Sequence, residues 1–321
     1  MYKLLEELTK IYGPSANEKR VADMIQKEIK PYVDEIKRDK MGNLVAIKKG
    51  GDKKVLISAS MDQHGFLSTH IENNGDIRFS VLSPINAFDI LNSNVVYENG
   101  ITGVIKSEKI NNDTKLQDLY IDVGEKNSER VEEKLPLGSC AVLKGTYYEN
   151  DSMIISSALG GRAECVCLID VIKNLPEDLN ADIYFLFSAQ SRIEARGNKV
   201  ISQCINPNIA ISIDSAACSK YDYIGKGPVL RLRDKNMVSN NALVKCFRNA
   251  ADNHNLPLQE QVAVDDISDV DGVIKAGIDA ETISIALPVK YYLSSSEIIY
   301  KSDFMNLQEL LTSFIEISFK K

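Results

Sequence analysis

Short apolar runs that turn abruptly polar recur along this chain, and residues 55–66, VLISASMDQHGF, show the pattern most clearly. The stretch begins with three apolar residues, as expected for a short strand that is buried on both faces. It then becomes polar, at Ser60, Asp62, Gln63 and His64. Because open α/β sheets bind ligands beyond the carboxyl ends of their strands, this stretch predicts a buried strand that ends at a functional site.

Two later runs repeat this pattern. IYFLF at 183–187 leads into SAQSR, which contains Ser191 and Arg192, and IAISI at 209–213 leads into Asp214. The carboxyl ends of parallel strands lie along one edge of a sheet. The sequence therefore predicts that the three polar ends converge on one crevice.

The remaining chain alternates between helical and strand-like segments. Ser15 and Glu18 have the spacing of a capping box, and the helical repeat that follows ends at Pro31. Strands are predicted at 33–38, 43–48, 182–188, 208–214, 228–233 and 281–286, and helices at 161–173, 196–203, 239–254, 268–275 and 303–319. Such alternation is typical of an α/β domain.

The middle of the chain has a different texture. Between 67 and 155, short β-like runs are separated by turn clusters such as NNGD at 73–76, and the helical pattern is confined to 128–134. The change predicts an inserted β domain, residues 67–155, within an α/β domain formed by residues 1–66 and 156–321.

Composition narrows the class of protein. The chain has 321 residues, 44% of them hydrophobic and 26% charged, which suits a soluble globular protein with a substantial core. A formal net charge of −7 argues against nucleic acid and anionic membranes as partners. No apolar run reaches the roughly 18 residues that span a bilayer, and the amphipathic N-terminus, MYKLLEELTKIYG, is unlike a signal peptide. Six cysteines without a CxxC pair indicate reduced thiols, so we expect a cytoplasmic protein.

Motifs spread over nearly the whole chain resemble those of one family of hydrolases. In order they are LLEELTKIYGPSANE, DKMGNLVAIKKG, ASMDQHGF, ITGVI, LYIDVG, SALGGRAE, FLFSAQSRIEARGN, NPNIAISIDS, GKGPVLRL and YYLSSSE. They are similar to motifs of the dinuclear metallo-aminopeptidases, which include the tetrahedral, deblocking and glutamyl aminopeptidases, some of them labelled endoglucanase or cellulase M. The resemblance implies a zinc-peptidase fold: a three-layer α/β/α domain that carries an inserted β-barrel-like dimerisation domain, often built into dodecamers.

The chemistry of that family needs two divalent metal ions, a carboxylate that bridges them and a free carboxylate as general base. By resemblance, the His ligand in the family motif AHMDE corresponds to Ser60, and the Asp that orients it corresponds to Asp62. The bridging Asp of the motif ALDDR corresponds to Gly160. The general base and the next ligand, both in the motif QEEVG, correspond to Ser191 and Arg192.

The last two ligand positions differ from each other. Asp214 is kept, whereas the ligand His of the family motif IHSP corresponds to Leu293. Four of the five ligand positions and the general base are thereby replaced. Glycine and leucine have no donor atoms, serine is a poor zinc ligand, and arginine repels a cation. The resemblance therefore implies a catalytically degenerate homologue that acts as a binding or assembly subunit, without peptidase turnover and with no cofactor expected.

A rewired metal site is the alternative interpretation. Its weak candidate ligands are Asp62, His64 and Asp214, and it would make the chain a hydrolase that uses zinc or cobalt to release N-terminal residues from peptides. Against it, His64 is expected to be an exposed or loop histidine.

Two other kinds of hydrolase are disfavoured. Ser60, Asp62 and His64 are the residue types of a catalytic triad, but same-face residues of a strand stand about 6.6 Å apart, too far for hydrogen bonds. Glycoside hydrolysis needs two facing carboxylates, and sugar sites usually present broad aromatic faces, yet the chain contains no Trp.

The resemblance and the charge pattern lead to two further expectations. The chain is expected to form a homodimer or a larger homo-oligomer through the inserted domain, alone or mixed with an active relative, and peptides are candidate ligands. Without metal ions, two carboxylates close together in one crevice need a counter-charge. Arg192, at a former ligand position, is therefore predicted to pair with Asp214, Asp62 or both.

Overall fold

The computed structural model describes residues 1–218 and 223–321. The helices are α1 (Tyr2–Lys10), α2 (Lys19–Ile29), α3 (Ala87–Ile90), α4 (Ser128–Lys134), α5 (Leu159–Lys173), α6 (Arg196–Ile205), α7 (Asn241–His254), α8 (Asp271–Lys275) and α9 (Lys301–Phe319). The strands are β1 (Glu35–Arg38), β2 (Leu44–Lys48), β3 (Lys53–Ser60), β4 (Gly65–Ile71), β5 (Ile77–Val81), β6 (Asn94–Tyr97), β7 (Thr102–Ser107), β8 (Leu119–Asp122), β9 (Cys140–Leu143), β10 (Tyr148–Glu149), β11 (Met153–Ser156), β12 (Ala181–Ser188), β13 (Ile209–Cys218), β14 (Val229–Arg233), β15 (Gln259–Val262), β16 (Glu281–Lys290) and β17 (Glu297–Tyr300).

Most strands join one large mixed sheet. Its order is β1-β2-β12-β3-β13-β16-β17-β11-β10, with β14 beside β16 and β15 beside β14. The centre, β12-β3-β13-β16, is parallel. These strands are buried along most of their length, as expected for parallel strands that are covered by helices on both faces.

Helices cover the two faces of the sheet, as neighbouring residues of β3 show. Ile57 belongs to the large core that α5 joins through Val166. Leu56 points to the other face, into a smaller core with Ile201 of α6 and Val273 of α8. Alternate residues of a strand face opposite sides of the sheet, so the pattern defines three layers. The predicted three-layer α/β/α domain is confirmed.

The other strands close into a barrel in the order β4-β5-β8-β7-β6-β9. Its core is separate from that of the sheet and contains Phe66, whose ring lies 5.3 Å from the ring of Phe79, edge to face. Because closure pairs both outer strands, the barrel has no free edge. The predicted inserted β-barrel-like fold is confirmed.

Two predicted boundaries differ from the structure. Ser15 does not cap a helix: α2 begins at Lys19, after Glu18, without a side-chain cap. The barrel strands lie within 65–143, and β10 and β11, which were predicted to be part of the inserted domain, pair in the main sheet, where β11 lies beside β17. A strand pattern does not show which distant strand will be its neighbour. None of the helices in the described part of the chain is long and apolar enough to cross a membrane.

Candidate functional site

The polar strand ends meet at one edge of the main sheet. In the parallel register, Ser188 of β12 lies beside Ser60 of β3, and Ile213 of β13 lies beside Ala59. Asp214 therefore follows at the level of Ser60. The three polar segments lie side by side, as predicted, because β12, β3 and β13 are direct neighbours. β13, however, continues past Asp214 to Cys218.

Asp214 is fully engaged by neutral donors of the protein. The backbone N–H of Asp269 donates to its Oδ1 at 3.1 Å. The hydroxyl of Ser284 donates to Oδ2 at 2.7 Å, and the hydroxyl of Ser212 donates to the same oxygen. A carboxylate whose oxygens already accept three hydrogen bonds has little capacity left for a metal ion.

A chain of hydroxyl groups occupies the next part of the crevice. Ser60 Oγ and Ser191 Oγ lie 2.8 Å apart, and Ser191 donates to Asp269 Oδ1 at 2.7 Å. The other oxygen of Asp269 accepts from Ser188 Oγ and Asn198 Nδ2, each at 3.0 Å. Burial, helped by the charge of nearby Asp214, raises the pKa of Asp269 to about 6. Ser60 and Ser191, which correspond by resemblance to a metal ligand and to the general base of the family, are thus hydrogen-bonded to each other.

Asp62 lies in a different environment. Its Oδ2 accepts hydrogen bonds from Ser15 Oγ at 2.5 Å and from the backbone N–H of Arg192 at 3.0 Å. Its Oδ1 is buried, and no described residue donates to it. Sequence reasoning assigned Ser15 to a helix cap and so did not identify it as part of the site, since its partner lies far along the chain.

The guanidinium of Arg192 contacts a phenol and two backbone carbonyls. Its Nη1 donates to the hydroxyl of Tyr292, its Nη2 to the carbonyl of Gly160 at 3.2 Å, and its Nε to the carbonyl of Asp62 at 3.4 Å. The guanidinium carbon also lies 5.6 Å from the centre of the Tyr292 ring, within range of a cation–π interaction. Coulombic attraction to Tyr292, Asp62 and Glu164 outweighs burial and raises the pKa of Arg192 further.

The prediction that the guanidinium of Arg192 pairs with the carboxylate of Asp62 or Asp214 is therefore wrong. No ion pair of this kind is present in residues 1–218 and 223–321, and the Asp62 carboxylate binds the backbone N–H of Arg192 instead. The physical reason is competition. Hydroxyl groups already satisfy Asp214, while Tyr292 and the carbonyls take up the donors of the guanidinium.

Tyr292 fills the space beside Gly160, the position that corresponds to the bridging carboxylate. A Cβ atom built on Gly160 would lie 2.3 Å from Cε2 of Tyr292 and 3.0 Å from the hydroxyl oxygen of Ser215. Contacts of 2.3 Å do not occur between real carbon atoms, so any side chain at 160 requires the ring to move. Sequence reasoning did not single out Tyr292, because only the folded chain brings it to α5.

Two further buried carboxyl groups border the crevice. Burial, with help from the charge of Asp214, raises the pKa of Glu164 to about 8, and Ser215 Oγ donates to it at 2.6 Å. Burial raises the pKa of Glu297 to about 7, although the backbone N–H groups of Gly160 and Leu293 donate to it at 2.9 and 2.8 Å. A raised pKa reduces the negative charge that would attract a cation at neutral pH.

His64 lies in the loop between β3 and β4. The prediction of a loop position is confirmed, but the side chain is half-buried rather than exposed. Its Nδ1 is bonded to the hydroxyl of Ser83, and no described residue partners its buried Nε2. Burial and the charge of Arg192 hold its pKa well below the usual value. His64 also borders a cavity of only about 10 Å³, together with Gly160 and Glu297, which is room for roughly one water molecule.

The donor set does not fit a pair of divalent metal ions. Within the described residues, no three His, Cys, Asp or Glu side chains are grouped so that they could hold a metal ion. The weak candidates Asp62, His64 and Asp214 are not brought into one such group. Leu293 contributes only its backbone N–H, to Glu297.

Comparison with known proteins relates this fold to a family. A sequence profile of the family described as M42 glutamyl aminopeptidase matches residues 42–310. A protein of Acetivibrio thermocellus, whose name gives aminopeptidase as an unconfirmed activity, is 31% identical over 325 residues, which cover 98% of either chain. The solved structure of an aminopeptidase from Desulfurococcus kamchatkensis is similar with a TM-score of 0.92 at 25% identity, covering 98% of this chain and 94% of that one. The TET1 peptidase of Pyrococcus horikoshii is similar with a TM-score of 0.87 at 28% identity, covering 98% of both. This chain belongs to the M42 glutamyl aminopeptidase family.

Proposed function

We propose that this chain is a non-catalytic member of the family, a binding or assembly subunit without peptidase turnover. The observation that carries the proposal is the Tyr292 ring, which takes the space of a side chain at Gly160. A dinuclear centre needs a carboxylate between its ions. In this chain, that volume holds an aromatic ring whose hydroxyl is bound to a cation, Arg192.

The groups that would perform hydrolysis are also unsuitable. A general base must accept a proton from water near the scissile bond. Ser191, at the position of the base, instead donates a hydrogen bond to Asp269 and contacts Ser60. The cavity of about 10 Å³ beside Gly160 is far smaller than the roughly 300–1,000 Å³ of sites that bind small molecules. These features support a closed crevice that neither activates water nor admits a peptide end.

We further propose that the chain assembles with copies of itself through the barrel. The solved TET1 peptidase of Pyrococcus horikoshii is described as assembling into a tetrahedron or a large octahedral shell. This chain is similar in fold to that protein over 98% of both chains, and it contains a closed barrel. A shell that also contained an active relative would give the closed crevice a structural role.

Metal analysis and a peptidase assay on one purified sample test the non-catalytic proposal. We expect well under one equivalent of zinc, cobalt or manganese per chain after dialysis, and no release of N-terminal residues from a panel of short peptides, with or without added zinc or cobalt. The TET1 peptidase, assayed in parallel, serves as the positive control. Two tightly bound ions per chain, or turnover that a chelator abolishes, would replace this proposal with the rewired hydrolase.

A further inference from the structure

The outer face of the barrel carries an open groove of about 490 Å³, separate from the small cavity beside Gly160. Sites that bind small molecules usually have volumes of about 300–1,000 Å³, so the size of the groove suits such a ligand. The groove is formed by β6, β7, β8 and the segment that follows β9. Its polar side chains are those of Asn94, Thr102, Asp122, Lys144 and Thr146.

Strand pairing places four residues of the groove in one row across the barrel. Asn94 lies opposite Val104, and Val104 lies opposite Asp122 in the next strand. The backbone N–H of Lys144 donates to the carbonyl of Asn94 at 2.9 Å, which extends the row by one strand. The residues adjacent to these four in sequence face the barrel core: Val95, Ile105, Ile121 and Leu143. Because successive residues of a strand point to opposite faces, the row itself faces outward.

The two ends of the row carry opposite charges. Lys144 and Asp122 are exposed, and within residues 1–218 and 223–321 neither takes part in an ion pair. Three strand spacings of about 4.8 Å separate them, so their backbones lie about 14 Å apart. The backbone N–H of Gly124 donates to Asp122 Oδ1 at 2.7 Å and holds that carboxylate in place. A ligand that spans the row must therefore carry a cation at one end and an anion at the other.

The middle of the row offers an amide and an aliphatic side chain. The exposed amide of Asn94 can both donate and accept hydrogen bonds, and none of the described residues bonds to it. Val104 is half-exposed beside it. A peptide has matching groups between its ends, because its backbone amides can bond to Asn94 and an aliphatic side chain can pack against Val104.

One wall of the groove is fixed to the main domain through Gly145. Its backbone N–H donates to Ser157 Oγ at 3.1 Å. A Cβ atom built on Gly145 would lie 2.4 Å from the carbonyl oxygen of Ser295, so the backbone approaches the main domain as closely as glycine allows. The groove thus lies at the boundary between two domains, which is a common location of ligand sites. A wall that is already ordered loses little conformational entropy on binding.

We propose that the groove binds a short peptide in its zwitterionic form, with the free amine at Asp122 and the free carboxylate at Lys144. An extended tripeptide spans about 10 Å, and the two charged side chains extend over the remaining distance. The proposal rests on the binding role in the proposed function and goes beyond it, because it names a ligand class and a site outside the closed crevice.

Titration calorimetry at low salt, with a tripeptide of alanine, valine and alanine and its two blocked forms, tests the groove in the full chain. An exposed ion pair contributes about 1 kcal/mol, so we expect N-terminal acetylation or C-terminal amidation to weaken binding about fivefold each. Asp122→Asn should abolish the sensitivity to acetylation only, and Lys144→Gln the sensitivity to amidation only. The matched control, Lys109→Gln/Asp113→Asn, makes the same charge changes at exposed barrel positions outside the groove and should bind all three peptides as the parent does.

Several results would overturn the groove as a peptide site. They are the absence of saturable binding by the parent up to about 10 mM peptide, equal affinity for free and blocked peptides, and an equal loss of affinity in the control variant. A change of particle mass in Asp122→Asn or Lys144→Gln by native mass spectrometry would assign the groove to a second copy of the chain and also overturn the proposal. The peptide recovered after titration reports separately on the proposed function: cleavage contradicts the non-catalytic role, whereas intact but unbound peptide overturns only the groove.

Discussion

Two carboxylates of the crevice, Asp62 and Asp214, lie in different hydrogen-bonding environments. Asp214 accepts hydrogen bonds from neutral groups only. The donors are the N–H of Asp269 and the hydroxyls of Ser212 and Ser284. Every donor in this half has an acceptor close by. A fully connected polar network of this kind stabilises a unique arrangement.

The half around Asp62 is cationic and incompletely bonded. Arg192 and Arg162 both lie near Asp62, yet Asp62 Oδ1 and two nitrogens of Arg162, Nε and Nη1, are buried without a partner among the described residues. Burial lowers the pKa of Arg162 to about 10, against the attraction of nearby Asp62 and Glu18. The difference teaches that neutral donors can occupy most acceptor sites of a buried carboxylate. At Asp62, the guanidinium of Arg192 binds the backbone carbonyl instead, and the carboxylate Oδ1 is left without a donor.

Loss of the Asp269 carboxylate would break the neutral half. Asp269→Ala strands the hydroxyls of Ser188 and Ser191 and the amide of Asn198 in a buried site. Because each unsatisfied buried donor is costly, we expect the free energy of unfolding to fall by about 3 kcal/mol in urea titrations. Asp269→Asn, which keeps the shape and one acceptor oxygen, should lose about 1 kcal/mol. Equal losses for the two variants would show that the acceptors are unimportant.

Removal of the guanidinium should have a smaller effect, because the cationic half is already incomplete. Arg192→Ala leaves the Tyr292 hydroxyl and the carbonyls of Gly160 and Asp62 without their donor. We expect a loss of about 2 kcal/mol by chemical denaturation. Arg192→Lys keeps the charge but not the fork of donors, and should fall between the alanine variant and the parent. A melting curve for Arg192→Ala that matches the parent's would show that the guanidinium does not stabilise the crevice.

The clash between position 160 and Tyr292 can be measured as a coupling. Gly160→Ala places a methyl group against the ring and should cost about 2 kcal/mol, as overpacking typically does. In a Tyr292→Ala background, the same substitution should cost clearly less, because only the close approach to the Ser215 hydroxyl is left. A double-mutant cycle in urea gives the coupling, and additive effects would mean that the ring does not limit position 160.

The pH dependence of stability should report the buried carboxyl beside Asp214. Because the pKa of Glu164 is raised to about 8 in the folded chain, the folded state keeps a proton that the unfolded state has already lost. The stabilisation is complete below the unfolded pKa and disappears as pH rises through about 8. Glu164→Gln removes this titration. Between pH 6 and pH 8 we expect the parent to lose about 2 kcal/mol relative to the variant, measured as the difference between their unfolding free energies.

Local pattern determined the regular elements of this protein well. The helix predicted at 128–134 matches α4, and the helix predicted at 303–319 overlaps nearly all of α9. An apolar run that turns polar also placed Ser60 correctly at the end of β3, whereas Asp214 lies inside β13, which continues to Cys218. Such features depend on neighbours within a few residues, which is the range over which hydrophobic periodicity and capping act.

The departure from the ligand residues of the family motifs could also be predicted from sequence, because it depends only on which atoms a side chain carries. Gly160 and Leu293 have no donor atoms in any fold. Which side chain packs beside Gly160 was decided by tertiary structure alone. Tyr292, which is distant in sequence, packs against Gly160. Ser15, which was predicted to cap a helix, donates a hydrogen bond to Asp62 instead. Arg192 donates to the hydroxyl of Tyr292 rather than to a carboxylate. Buried donors and acceptors compete for partners, and only the packed structure fixes which of them are close enough to bond.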